Sequence, residues 1–113
     1  MAKIIYNRII PFKGFRAIAL VWWIFVRSEV KNFNDTDFRH ESIHIRQQKE
    51  MLVLFFFLWY AVEWLVRFII YRNTKTAYKN ISFEREAYAH QFDTEYLETR
   101  KHYSFIRYMN KLT

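Results

Sequence analysis

An unbroken apolar block at residues 51–62 most restricts how this 113-residue chain can fold. The block continues to Ile70 with only two charged residues, Glu63 and Arg67, and with no Gly or Pro. A bilayer span needs about 20 apolar residues, and a charge near its centre is costly. A helix that is apolar on all sides is also typical of the buried middle of a soluble domain. We therefore expect a buried central helix, with membrane association and a homo-oligomer interface as the alternatives.

The two charges in this segment are predicted to form an ion pair with each other. Glu63 precedes Arg67 by four residues, which is the favoured order for a pair on one helix face. Mutual neutralisation is the simpler interpretation, and support of a nearby metal ligand is the alternative.

The composition favours helices. The chain has one Gly and one Pro, and 52% of its residues are hydrophobic. We expect a single domain over residues 1–113, of α+β class and mostly α. The chain has no Cys. Disulfides and thiolate metal sites are therefore excluded, and any metal must bind His and carboxylate groups.

The basic balance of the chain does not indicate a nucleic-acid partner. The formal net charge is +7, but the Lys and Arg residues are spread along the sequence. No glycine-rich, RNP-type or zinc-finger pattern is present. We expect a generally solvated basic surface and no binding of nucleic acid.

Residues 3–27 are predicted to be extended. Residues 3–10 and 21–26 are rich in β-branched and aromatic residues, and Pro11 and Gly14 indicate a turn between them. We expect a β-hairpin or two neighbouring strands. A signal peptide is the rival interpretation, but no small-residue cleavage site follows Val26. We expect no cleavable signal peptide and a cytoplasmic or membrane-associated chain.

The sequence His40-Glu41-Ser42-Ile43-His44 places two imidazoles four residues apart. On a helix this spacing puts both rings on one face, where they can bind one metal ion. Asn34 and Asp37 supply capping and first-turn charge, so we expect the helix to begin near residues 34–36. Glu41, beside the first His, can then accept a proton from metal-bound water.

The later part of the chain is predicted to contain a loop and two helices. Residues 72–80 are polar and predict a connecting loop. Ser82 is an expected N-cap for a helix that runs to about Arg100, and residues 101–113 predict a short terminal helix on the core. The expected inward stripe of the longer helix comprises Phe83, Ala87, Phe92, Tyr96 and Leu97.

Two imidazoles leave a metal half-coordinated, and residues 83–88 supply carboxylates at the start of a later helix. Here the sequence resembles the gluzincin metallopeptidases, which pair His-Glu-x-x-His with a downstream Glu-x-x-Ala. Glu84 and Ala87 match the second motif, and the short chain is similar to the single-domain minigluzincins. The resemblance implies Zn²⁺ on His40, His44 and Glu84, and Glu41 as the general base for peptide hydrolysis. Glu86 is the rival third ligand.

The chain departs from the family pattern at Tyr88. Gluzincins often carry Asp there, and it supports a metal-bound His. Such support is worth about 10–100-fold in affinity or activity. Substitutes for that Asp, and donors to a developing oxyanion, are left open. The candidate substitutes are Asp93, Gln47 and Glu63, and the candidate donors are Tyr88, His90, Tyr96, His102 and Tyr103.

A zinc site that includes Glu84 demands a bend in the apolar segment. A straight helix from His44 to Tyr71 would end about 40 Å away, at 1.5 Å per residue. The following loop could then return Glu84 only if it were almost fully extended. We therefore predict a bend or reversal between Glu50 and Glu63, although no Pro or Gly is present there.

The function predicted first is a zinc-dependent metallopeptidase-like activity on a peptide or protein substrate. We expect a zincin-like fold, with a sheet edge near residues 22–27 that could pair with an extended peptide. The alternatives are a non-catalytic metal- or peptide-binding scaffold and a basic, aromatic-rich membrane-associated protein in which the motif is fortuitous.

Overall fold

A computed structural model describes residues 2–11 and 14–109 of the chain. They form an α+β fold that is mostly helical, with one three-stranded sheet. This confirms the predicted fold class. The strands are β1 (Lys3–Asn7), β2 (Ala17–Leu20) and β3 (Trp23–Arg27). The helices are α1 (Asp35–Glu50), α2 (Leu54–Tyr71), α3 (Thr74–Asn80), α4 (Ser82–His90) and α5 (Tyr96–Thr99), followed by a 3₁₀ helix at Ser104–Tyr108.

The predicted hairpin across residues 11–14 does not form, whereas the alternative of two neighbouring strands does, because β1 pairs in parallel with β3. The hairpin that the structure contains lies later in the chain. β2 and β3 pair antiparallel, and Val21 and Trp22 form the turn. Gln48 of α1 stabilises this turn, because its side chain accepts from Val21 N–H at 2.7 Å and donates to Ala19 O at 2.7 Å. Val21 has φ 43°, which a β-branched residue rarely adopts. Residues 12 and 13 of the predicted turn lie outside the described residues.

The predicted peptide-binding edge at residues 22–27 is wrong. The strand order is β1-β3-β2, so β3 is the central strand. Its second neighbour is β1, which pairs in parallel from Lys3 opposite Trp23 to Asn7 opposite Arg27. The backbone groups of β3 are therefore already used on both sides. The sheet packs against α1 through a core of Ala19, Ile24, Val26 and Ile45.

The start of α1 is confirmed. Asn34 is the N-cap, and its side chain accepts from Asp37 N–H at 3.0 Å. Asp37 accepts in return from Asn34 N–H at 3.2 Å, which completes a capping box. This cap sets where the helix begins.

The predicted bend is confirmed at residues 51–53. Leu52 and Val53 have φ of 54° and 57°, so the helix is interrupted and the chain bends between α1 and α2 without Gly or Pro. Such non-Gly residues at positive φ cost of order 1–3 kcal/mol each. Packing on the far side of the bend offsets this cost, because the Phe56 ring lies 4.5 Å from the Phe83 ring of α4.

The expectation of a buried central helix is wrong. Only Phe56, Glu63 and Arg67 of α2 are buried, and most of its apolar residues are exposed. By length and composition α2 could cross a bilayer. The predicted ion pair does form, with Arg67 Nη2 at 3.6 Å from Glu63 Oε1.

The loop predicted at residues 72–80 is instead helix α3. Asn73 caps it by accepting from Thr76 N–H at 2.9 Å, and Ala77 is fully buried. A short polar helix of this kind has no apolar period to predict it. Its stability comes from its cap and from packing on α2.

The helix predicted from Ser82 to about Arg100 is broken in two. α4 ends at His90 and α5 begins at Tyr96, with turns between them. Phe92 of the predicted inward stripe is 74% exposed in that connection, whereas Phe83, Ala87 and Tyr96 are buried. The terminal 3₁₀ helix places Phe105 in the core, as expected of a terminal helix, and residues 110–113 lie outside the described residues.

Ser82 begins α4 but does not cap it. The cap comes from Glu63 of α2, whose Oε1 accepts from Ser82 N–H at 2.8 Å. The same carboxylate accepts from the Ser82 hydroxyl and from Trp59 Nε1 at 3.0 Å. A negative charge at a helix N-terminus is favourable, so Glu63 fixes α4 against α2.

Removing the Glu63 carboxylate should destabilise the protein strongly. Glu63→Ala removes the ion pair of Glu63 with the buried Arg67 and leaves the start of α4 uncapped, at a cost of about 3–5 kcal/mol. Chemical denaturation measures this cost. The exposed Glu98→Ala is the control, with an expected change within about 0.5 kcal/mol. Equal stability of the two variants would contradict the assigned role of Glu63.

Candidate metal centre

His40 and His44 lie on one face of α1, as the spacing predicts. Their ring centroids are 4.9 Å apart, and each residue is only 6% exposed. The bend after α1 brings α2 and then α4 back over this face. The two imidazoles therefore lie between helices rather than on the protein surface.

Glu84 of α4 completes a cluster with the two imidazoles. Its Oε1 lies 3.3 Å from His40 Nε2 and 3.1 Å from His44 Nε2. Candidate ligand atoms of the three residues all lie within 4.8 Å of one another. The other oxygen, Oε2, accepts from Tyr60 Oη at 2.7 Å, which turns Oε1 toward the rings. The predicted ligand set is thus brought together by α1, α2 and α4.

The hydrogen bonds of Gln47 determine which nitrogen of His44 faces the cluster. Gln47 Nε2 donates to Glu86 Oε1 at 2.9 Å and to Phe83 O at 3.1 Å. Its Oε1 must therefore be an acceptor, and it lies 2.8 Å from His44 Nδ1. Nδ1 then carries the proton, and Nε2 is the nitrogen available to a ligand. Gln47 was one of the candidates to replace the family's supporting Asp.

Gln91 supports His40 in the same way. Its Oε1 lies 2.7 Å from His40 Nδ1. The backbone at Gln91 is held by Arg39, whose Nη1 donates to Gln91 O at 2.8 Å. Sequence reasoning missed Gln91, because it follows α4 at a spacing that belongs to no local motif. The other two candidates do not support the imidazoles: Asp93 is exposed, and Glu63 caps α4.

The donor set fits a divalent metal ion. Ligand atoms about 2.0–2.1 Å from a tetrahedral ion lie about 3.3 Å from one another. The distances from Glu84 Oε1 to the two ring nitrogens are close to this value. With the Nδ1 atoms directed at Gln oxygens, two nitrogen lone pairs and a carboxylate oxygen converge. Such an arrangement is favourable only with a cation or a proton between them.

Without a metal, protons take this role. Burial alone would lower the pKa of His44, but the charge of Glu84 and its hydrogen bond outweigh burial and raise that pKa to about 9. Burial alone would raise the pKa of Glu84, but His44 and His40 hold it far below its usual range. The carboxylate is therefore ionised at neutral pH and strongly attracts positive charge.

Glu41 lies next to this cluster without belonging to it. Its carboxyl is partly buried, and burial raises its pKa to about 7 although the charges of His44 and His40 lower it. Glu41 is the residue that follows His40 on α1. Its role as general base stays a prediction.

Glu86, the rival third ligand, points away from the imidazoles. Arg100 binds it through Nε at 2.5 Å, and Tyr96 Oη donates to it at 2.7 Å. Arg100 also binds Glu50 at 2.5 Å. Gln47 links this buried ion cluster to His44, because it donates to Glu86 and accepts from the His44 imidazole. The cluster therefore helps to hold the imidazole in place.

Tyr88 alone among the predicted oxyanion donors lies beside the imidazoles. Its ring centroid is 4.4 Å from that of His40, and its Oη is 3.4 Å from Tyr78 Oη. Sequence reasoning did not select Tyr78, because it lies in the segment predicted as a loop. The remaining candidates, His90, Tyr96, His102 and Tyr103, contact Tyr108, Glu86 or Glu50 instead.

Comparison with protein-family models, curated proteins and solved structures finds no match to this chain. The resemblance to gluzincins therefore rests on the motif residues themselves. The geometry adds that His40, His44 and Glu84 form a buried group able to hold a metal ion.

The two glutamines should control metal affinity. Gln47→Leu and Gln91→Leu each remove the acceptor that orients one imidazole, so each should weaken metal binding about 10–100-fold. Titration against a competing chelator measures the affinity. Gln48→Leu is the matched control, because Gln48 binds the hairpin turn; it should lower stability but leave metal affinity unchanged. Unaltered affinity in both Gln47→Leu and Gln91→Leu would contradict their orienting role.

Proposed function

We propose that this chain is a small zinc-dependent metallopeptidase-like protein with a zincin-like arrangement of its helices. The observation that carries the proposal is the convergence of His40 Nε2, His44 Nε2 and Glu84 Oε1 beside a fourth group, Glu41. Two imidazoles and one carboxylate are a typical catalytic zinc set. Other divalent ions would also accept these ligands.

A bound metal supplies Lewis acidity, which makes water a nucleophile near neutral pH. The chain's own part begins with Glu41, which accepts the proton of the attacking water. A base with a pKa near the working pH is well suited to this step. Glu41 can then give the proton to the leaving amine of the peptide.

Tyrosine hydroxyls beside His40 supply donors for the developing negative charge. Tyr88 and Tyr78 lie together at this side of the cluster, and both hydroxyls can donate. Burial, with Glu84 nearby, raises the pKa of Tyr88, so this hydroxyl keeps its proton at neutral pH. Tyr88, which stands where gluzincins often carry Asp, is therefore assigned as a donor to the developing oxyanion.

A non-catalytic metal-binding scaffold is the second candidate, and burial of the ligands favours it. His40, His44 and Glu84 are each at most 6% exposed. A groove along α2 is lined by Met51, Met109 and seven residues of α2 between Phe55 and Arg67, and it includes none of these three ligands. The three ligands therefore do not open into this groove.

Purified protein should contain close to one zinc ion per chain. His44→Ala and Glu84→Ala each remove a ligand and should lose this zinc, as measured by mass spectrometry of the metal content. His102→Ala is the matched control, since the His102 side chain is 87% exposed, and it should keep the metal. A wild-type protein that holds no zinc even after reconstitution would refute the metal site.

Catalysis and metal binding are separated by a change at Glu41. Glu41→Gln should keep the zinc but reduce peptide hydrolysis by at least about 100-fold, because the general base is lost. Turnover of a fluorescent peptide library measures this, with the exposed Glu98→Gln as control. If the wild type binds zinc but hydrolyses nothing in the library, the scaffold is favoured. Full activity in Glu41→Gln would refute the mechanism.

A further inference from the structure

The amphipathic pattern of α2 is inverted with respect to that of a helix on a soluble protein. The only two charged residues in Leu54–Tyr71 are Glu63 and Arg67, and both are buried. Glu63 is held by Ser82 and Trp59, and Arg67 Nη2 donates to Met109 O at 3.1 Å. Both charged side chains of this helix therefore point into the protein, where they are paired.

The outward face of α2 is wholly apolar. Its exposed residues follow the three- and four-residue spacing of one continuous helix face. They are Leu54, Phe55, Leu58, Ala61, Val62, Leu65, Val66, Ile69 and Ile70. We call these nine residues the α2 face. An 18-residue helix is about 27 Å long, so the α2 face extends along most of one side of a molecule whose longest dimension is 34 Å.

A continuous apolar surface of this kind marks a binding site on a soluble chain. Isolated exposed apolar residues are ordinary on protein surfaces, but nine neighbours with no charge among them are not. Burial of both Glu63 and Arg67 means that the α2 face can leave water without taking a charge with it. The partner must therefore be apolar over a long area.

The exposed charged residues of the segment that follows α2 in the chain are basic. Arg72, Lys75 and Lys79 follow α2 directly and are all exposed. Between Leu54 and Ile81 the only acidic residue is Glu63, which is buried and paired. The whole chain has a formal net charge of +7, which disfavours contact with a second copy. An apolar surface beside exposed Lys and Arg is complementary to an anionic lipid bilayer.

We propose that the α2 face is a membrane-docking surface that lies along the surface of an anionic lipid bilayer. The other side of α2 packs against α4 and the 3₁₀ helix through Phe56, Trp59 and Tyr60. Lipid can therefore contact only one side of α2, so the helix lies on the bilayer rather than crossing it. The docking surface does not depend on a metal ion or on peptidase activity.

Docking would place the candidate metal centre next to the membrane. Tyr60 lies on the inner side of α2 and donates to the ligand Glu84 at 2.7 Å. One helix therefore contacts both the cluster and the bilayer. If the proposed peptidase function holds, peptide segments close to a membrane surface are the substrates that this placement favours.

Flotation of the full-length protein with lipid vesicles tests the docking surface. The vesicles contain phosphatidylcholine alone or phosphatidylcholine mixed with phosphatidylglycerol. The wild type should float with both and more strongly with the anionic mixture, a preference that added salt should reduce. The double variant Leu58→Glu/Leu65→Glu introduces two charges on the α2 face and should bind at least about tenfold more weakly.

Phe92→Glu is the control, because Phe92 is equally apolar and 74% exposed but lies outside the α2 face. It should bind vesicles like the wild type, and thermal melting should show that every variant is folded. Equal binding of the double variant and the wild type would overturn the proposal, as would no binding of the wild type to either vesicle. If the wild type is a dimer that does not bind vesicles, and the double variant is a monomer, the α2 face contacts a second copy of the chain instead.

Discussion

The carboxylate of Glu84 is the contact on which the arrangement of the helices depends. One oxygen faces the two imidazoles of α1, and the other accepts from Tyr60 of α2. Three helices therefore meet at one ionised group that is only 4% exposed. A buried negative charge is costly unless positive charge and hydrogen-bond donors surround it. The helices that surround Glu84 supply the donor, and a proton or a metal ion supplies the positive charge.

The sequence predicted those parts of the fold that local chemistry determines. The capping box at Asn34 fixes the start of α1, and the need to return Glu84 to the imidazoles required the bend found at residues 51–53. The hairpin turn was misplaced because Val21 is stabilised by Gln48, which lies 27 residues further along the chain. The helix α3 was missed because a short polar segment has no hydrophobic period. The exposure of α2 was not predicted, because a helix that is apolar on all sides does not show which side packs against the core and which side is exposed.

The candidate metal centre was more predictable than the fold around it. His40, Glu41 and His44 lie within five residues, so helix geometry alone relates them. The prediction of Glu84 depended on a resemblance to the gluzincin motif. In the structure Glu84 lies in the same cluster as the two imidazoles. Gln91, which orients His40, reaches the site only through tertiary packing and carries no signal in the sequence.

X-ray diffraction at the zinc absorption edge, on crystals grown from zinc-loaded protein, would test the central claim most directly. We expect one anomalous peak about 2.0–2.2 Å from His40 Nε2, His44 Nε2 and a Glu84 oxygen. Gln47 and Gln91 should remain hydrogen-bonded to the two Nδ1 atoms. Absence of a peak between these three side chains, with direct hydrogen bonds from the imidazoles to Glu84 in its place, would contradict it.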